Sequence, residues 1–257
     1  MIKVRFLLAL SYRFEVFITI STRLILLFAS VFFWKTAFAG IDEVAEVNQE
    51  QMLVYSIMAI VLAVVNTFFI EDKIREKIRR GNVALDFIKP VNVFLMYFME
   101  DVGDSLTAFV QRAIPILICA ALFVTIPKPY SLIHFLLFLL SACISFLLLW
   151  LLSALFALLY FKYIDFGPLS NVKNYLITIL SGSLIPVWFF PESVQKILEF
   201  LPFIYIYQLP LGIFIGRENI SGALTGIGIQ AFWCALAAFL FNYCRRRVIK
   251  TIIAQGG

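Results

Sequence analysis

Six long apolar runs dominate the chain: Leu24–Ala39, Met52–Ile70, Ser105–Ile126, Leu132–Phe161, Val172–Trp188 and Gly222–Tyr243. A bilayer core takes about 20 apolar residues of helix, whereas barrel strands are short and alternate in polarity. The runs therefore predict helical spans and exclude a barrel. Composition agrees, with 62% hydrophobic and 14% charged residues and a mean hydropathy of +0.96. Water-soluble domains sit nearer about half apolar and about a quarter charged. The expected fold class is an all-α integral membrane protein, six transmembrane helices forming a single domain over residues 1–257. The third run is expected to continue a helix begun near Val91, and the fourth is long enough to tilt or protrude. The first is too long for a signal-peptide core and no small-residue cleavage site follows it, so Met1 is expected to stay.

Orientation follows from the basic residues between spans. The N-terminal segment has Lys3, Arg5, Arg13 and Arg23, while the loop 40–51 has none and carries Asp42, Glu43, Glu46 and Glu50. Lys73, Arg75, Lys77, Arg79, Arg80 and Lys89 follow the second span, Lys162 and Lys173 the fourth, and Arg245, Arg246, Arg247 and Lys250 the sixth. Assigning alternate loops to the cytoplasm places sixteen of twenty-one basic residues there. Both termini are expected inside, in a cell membrane of bacterial inner-membrane type.

Two further segments are neither spans nor ordinary loops. Residues 1–16 are apolar but dotted with Lys3, Arg5, Arg13 and Glu15, as suits a helix in the cytoplasmic interface or an extension of the first span. Residues 189–216 are apolar but broken by Pro191, Pro202 and Pro210. Such spacing permits only short helical pieces and predicts a re-entrant hairpin at the outer end, with Pro191-Glu192-Ser193 as a helix start.

The charged stretch EDKIREKIRRGNVALDFIKP, residues 71–90, reads as helix, break, helix. Ile70, Ile74 and Ile78 form one stripe, and Glu71–Arg75 and Glu76–Arg80 are i, i+4 pairs with the acid first. Gly81 suits the C′ position, Asn82 can cap a second short helix through Leu85, Asp86, Phe87 and Ile88, and Pro90 ends it. A charge run most often serves only to set topology, and an anionic-lipid patch is a second reading. Neither accounts for the apolar ALDFI cluster closed by Lys89-Pro90, which favours a protein docking surface.

Ionisable residues inside spans are rare and face protein or water. Glu100 and Asp101 are expected to be solvated. Asp104 and Arg112, two turns apart on one helical face, are candidates for a substrate path, and Arg112 reads equally as structural. Tyr205 and Tyr207 are the aromatic candidates near the outer mouth. His134, the only histidine, forms no triad or metal site alone. Cys119, Cys143, Cys234 and Cys244 show no metal-like spacing.

The run IREKIRRGNVALDFIKPVN followed by MEDVGDSL resembles the first cytoplasmic loop of ABC-2 type permeases, in the short six-span class. The pattern falls on Ile78, Arg79, Gly81, Val83, Asp86, Phe87, Ile88, Lys89 and Pro90, departing at Arg80, where a small residue is common. SGSLIPVWFFPESVQKILEFLPF resembles the end of the family's fifth span, and QLPLGIFIG and IQAFWCALAAFLF continue in the same order. The resemblance implies the permease of an ATP-driven exporter, paired with a second permease, identical or related, and with separate ATPase subunits. It implies a coupling segment at 71–90 whose contacts include Ile74, Arg75, Ile78, Arg79, Gly81, Leu85, Asp86, Phe87, Ile88, Lys89 and Pro90. It also implies an interface helix at 1–16 and an outer hairpin at 189–216. ATP and Mg would sit on the partner ATPase, since no G-x-x-x-x-G-K-[ST] occurs here. The chain itself is expected to bind no cofactor or metal, to be non-catalytic and to have no nucleic-acid partner.

A secondary transporter or channel working without ATP is the alternative. It would call for inverted repeats and polar mid-span residues, and no clear repeat is present. An intramembrane enzyme is weaker, since H-E-x-x-H is absent and one histidine leaves little acid–base machinery. The substrate class stays open among lipids, glycans, peptides, drugs and ions.

Overall fold

A computed structural model of the protein describes residues 13–83, 86, 92–162 and 169–255. Most of the expected interface helix 1–16 lies outside them. The helices are α1 (Arg13–Ala37), α2 (Gln49–Val65), α3 (Ile70–Arg79), α4 (Val93–Ala108), α5 (Ile114–Phe123), α6 (Leu132–Leu159), α7 (Leu169–Leu180), α8 (Glu192–Glu199), α9 (Gln208–Phe214) and α10 (Ile220–Gln255). A small antiparallel hairpin, β1 (Glu43–Val44) and β2 (Val47–Asn48), links α1 to α2. Its turn holds Ala45 and Glu46 at φ 53° and 63°. Turn residues of that kind are usually glycine or asparagine, which is why the acidic loop gave no strand signal.

Local chemistry sets the helix ends. Asn48 and Gln51 cap α2 reciprocally: Gln51 N–H donates to Asn48 Oδ1 at 2.9 Å and Asn48 N–H to Gln51 Oε1 at 3.0 Å. Ser131 caps α6 by accepting from His134 N–H at 3.3 Å, while the His134 ring lies 3.1 Å from Glu218 O. The only histidine therefore ties a helix start to a neighbouring loop. Between α4 and α5 a π turn spans Phe109–Ala113. Pro115 has no N–H for the carbonyl of Gln111, and the ladder widens so that Ile114 N–H reaches Phe109 O.

Five stretches among the described residues are long and apolar enough to cross a membrane: Val16–Ala37, Gln49–Arg79, Val93–Phe123, Leu132–Leu159 and Ile220–Val248. The run expected as a further span, Val172–Trp188, is α-helical only within Leu169–Leu180, with a single 3-10 turn at Val187–Phe189. Twelve residues rise about 18 Å, short of a core of about 30 Å. The helix ends where the chain turns through Ser181 and Gly182. Gly182 has φ +78°, and a Cβ there would lie 2.9 Å from Gln208 Oε1 and 3.2 Å from the Tyr55 hydroxyl. The turn is held by Tyr55 O–H donating to Gly182 O at 2.7 Å and Gln208 N–H to Ser181 O at 3.0 Å. Long-range contacts of this kind leave no periodic trace in sequence.

The core lies between α2 and α6. Most of α2 is buried, including Met52, Tyr55, Ile57 and Val61, and α6 packs along α10, α9, α3 and α7. By contrast α1, α5 and α10 expose Phe14, Phe32, Leu122, Phe123, Phe232 and Phe239. Apolar surface on that scale belongs against lipid. Lipid is as apolar as leucine, so helix association inside a bilayer leans on packing and interhelical hydrogen bonds. Gln230 on α10 supplies such bonds. Its fully buried amide accepts from Ser141 Oγ at 3.0 Å and donates to Ser141 O at 3.0 Å and Tyr205 O at 2.7 Å. One side chain thus pins α10 to α6 and to the α8–α9 segment.

Candidate functional site

The charged stretch builds one end of the bundle. Asn66 and Thr67 break the helix after α2, and α3 restarts at Ile70 with Glu71 and Asp72 in its first turn and Lys77 and Arg79 in its last. It closes as the glycine predicts: Gly81 at φ +69° donates to Ile78 O at 3.0 Å, and Asn82 N–H to Lys77 O at 2.9 Å. The isoleucine stripe points inward, with Ile70 and Ile74 buried and Ile78 packed at the edge of the core.

Three lysine-centred contacts clamp α3 under the bundle. Lys73 Nζ lies 3.0 Å from Asp101 Oδ1, 3.4 Å from Glu100 and 3.7 Å from Asp104, all on α4. Trp150 of α6 donates its indole N–H to the other Asp101 oxygen at 3.0 Å. Lys77 pairs with Asp86, which also accepts from the Tyr97 hydroxyl at 2.5 Å, and the Lys77 ammonium sits 5.1 Å from the Tyr97 ring centroid. Lys173 of α7 lies 2.5 Å from Glu71 Oε1 and donates to Ser153 Oγ of α6 at 2.6 Å. Ser170 adds a bond to Asp72 at 3.1 Å.

These partners differ from the expected ones. Glu71 was expected to pair with Arg75 on the helix surface and instead meets Lys173, with both side chains at least 95% buried. Asp101, expected solvated, is fully buried between Lys73 and Trp150. The Glu76–Arg80 pair forms as the spacing predicts and is exposed. An open depression on the outward side of α3 is lined by Asp72, Arg75, Glu76, Arg79 and Arg80. Of the expected coupling residues, Ile74 and Asp86 face the protein, while Arg79 and Gly81 are exposed. Leu85, Phe87, Ile88, Lys89 and Pro90 lie outside the described residues.

The substrate-path candidates separate. Asp104 belongs to the Lys73 cluster. Arg112 sits in the π turn, which packs on α1 and α2, with its Nε buried and without a hydrogen-bond partner, as are both amide atoms of Gln111. Tyr205 is buried, donates to Glu199 O at 3.1 Å and lines a cavity of about 550 Å³ beside α8 and the start of α10. Tyr207 is buried as well, beside Asn66 and in the electrostatic field of Arg23.

A second feature, a groove of about 460 Å³, runs between α1, α2 and the end of α7 with its following turn. Arg23 marks one end, Trp34, Leu184 and Ile185 the other, and Ser30, Ser56 and Thr178 add hydroxyls. Sequence reasoning placed Arg23 just outside the first span, whereas α1 is already helical from Arg13. An arginine ten residues into that helix, with no other charge between Glu15 and Lys35, is the signal that marks it.

Long apolar helices, lipid-facing phenylalanines and a charged cluster confined to one end define a multi-pass helical membrane protein. Residues 24–255 match the family model described as ABC-2 family transporter protein, and the chain belongs to that family. It is therefore a membrane component of the ABC transporter class, with a role in transport. No curated protein and no solved structure matches it.

Proposed function

We propose that this chain is the permease of an ATP-driven exporter, with the charged end facing the cytoplasm and α3 with the residues up to Pro90 seated on a separate ATPase subunit. The clamping of α3 carries this reading. A helix that only set topology would need no buried partners, yet α3 is tied through Lys73 and Glu71 to α4 and α7 and packs along α6. A push on its exposed side is thus delivered to three helices at once. The buried Glu71–Lys173 link resists distortion because separating it strands a charge.

On this reading the chain crosses the membrane six times. The crossing that begins with α7 is completed by the irregular segment 181–190, whose two ends, at Ser181–Gly182 and Pro186–Trp188, are buried in protein. The α8–α9 segment is the re-entrant outer hairpin, and a second permease completes the pathway. The groove between α1, α2 and α7 is the substrate path.

Co-purification with the ATPase subunit tests the docking. Leu85, Phe87 and Ile88 changed together to Ser, or Arg79 and Arg80 changed to Glu, should abolish association, with the permease still eluting as a sharp peak. Retained association and transport in both variants would overturn the assignment.

A further inference from the structure

We propose that the groove between α1, α2 and α7 binds a single-chain anionic amphiphile, its phosphate or carboxylate head on Arg23 and its tail toward Trp34. This inference rests on reading that groove as the substrate path. Four observations carry it. First, arginine keeps its charge at any physiological pH, and inside a membrane such a group pairs or faces a cavity. Among the described residues no salt bridge joins Arg23 to a carboxylate, and no acidic residue lines the groove.

Second, Arg23 is suited to donating. Tyr207 lies in its field with Asn66 beside it, both outside the residues that line the groove. The Arg23 guanidinium on the groove wall suits an oxyanion and repels a cationic head. Third, beyond Arg23 the walls turn apolar through Leu26, Phe33, Ile60 and Leu184. Arg23 and Trp34 are eleven residues apart on α1, or about 16 Å, long enough for much of an acyl chain. Fourth, the volume of about 460 Å³ falls in the range of about 300–1,000 Å³ seen for small-molecule sites. The charge at one end and the apolar length together select an amphiphile over a free sugar, peptide or inorganic ion.

The test measures equilibrium binding of oleoyl lysophosphatidic acid and of neutral monooleoylglycerol to the purified full-length chain in detergent. Arg23→Gln is expected to weaken the anionic probe at least tenfold while moving the neutral one less than twofold, and Arg23→Lys to restore most of the loss. Ala29→Trp, on the groove wall, is expected to weaken both probes. Equal affinity of Arg23→Gln and parent for the anionic probe would overturn the proposal. So would equal losses for both probes in that variant, which would mark a structural role. An Arg23 effect that Ala29→Trp leaves intact would identify an annular lipid contact outside the groove. A shift in oligomeric state without a change in binding would assign Arg23 to an interface with a second copy. Either result also refutes the proposal. Because binding needs no ATPase, it stays readable if docking fails. A chain that associates with its ATPase but ignores the probe would keep the exporter reading and lose only the substrate class.

Discussion

Replacing Lys173 with Met should destabilise the fold far more than an average ion pair would suggest. The Glu71 side chain is fully buried and that of Lys173 is 5% exposed, with Nζ 2.5 Å from Oε1. Glu71 Oε2 is buried without a hydrogen-bond partner, so the carboxylate depends on this one cation. Methionine keeps the apolar stem and removes the charge. Exposed pairs contribute under about 1 kcal/mol because water screens them. Here water is excluded, and stranding one partner costs about 3–5 kcal/mol. For a chain of this size each kcal/mol shifts Tm by roughly 2–4 °C, so a fall of about 6–20 °C is expected. Adding Glu71→Leu removes the stranded charge and should recover most of it, since an apolar pair of similar volume is often neutral or better. Tryptophan fluorescence of the detergent-purified chain during heating reads both. A Lys173→Met variant within about 2 °C of the parent, or a double variant no better than the single, would refute the reasoning. If α3 transmits ATPase motion through this pair, the double variant should also keep its Tm while transport falls.

Gly182→Ala forces a Cβ to within 2.9 Å of Gln208 Oε1 at a backbone φ of +78°. The expected loss is about 1–3 kcal/mol, read as a lower Tm, and an unchanged Tm would show that the turn can relax. Gln230→Leu strands the Tyr205 carbonyl and the Ser141 hydroxyl, at about 1–3 kcal/mol for each group left unpaired. Protection of the α8–α9 amides from hydrogen exchange should fall with it, and unaltered protection would mean that α9 packing alone holds the hairpin.

Hydrophobic run length alone established an all-helical membrane protein. Bilayer thickness and the need to satisfy every backbone group within the span leave a chain of this composition no other way across. The caps were also legible: Gly81 closes α3, and Pro191 with Glu192 opens α8, because such signals act within a turn. The isoleucine stripe of α3 was legible as a face, but not what the face met. Three-dimensional packing alone decided that Glu71 finds Lys173 a hundred residues away rather than Arg75 on the next turn. It decided likewise that Asp101 is held by Trp150, and that Arg23 opens onto a groove instead of a loop. In an interior without water a charge is governed by whichever partner the folded chain brings within about 3 Å. Spacing along the sequence carries that information only when the partner sits on the same helix.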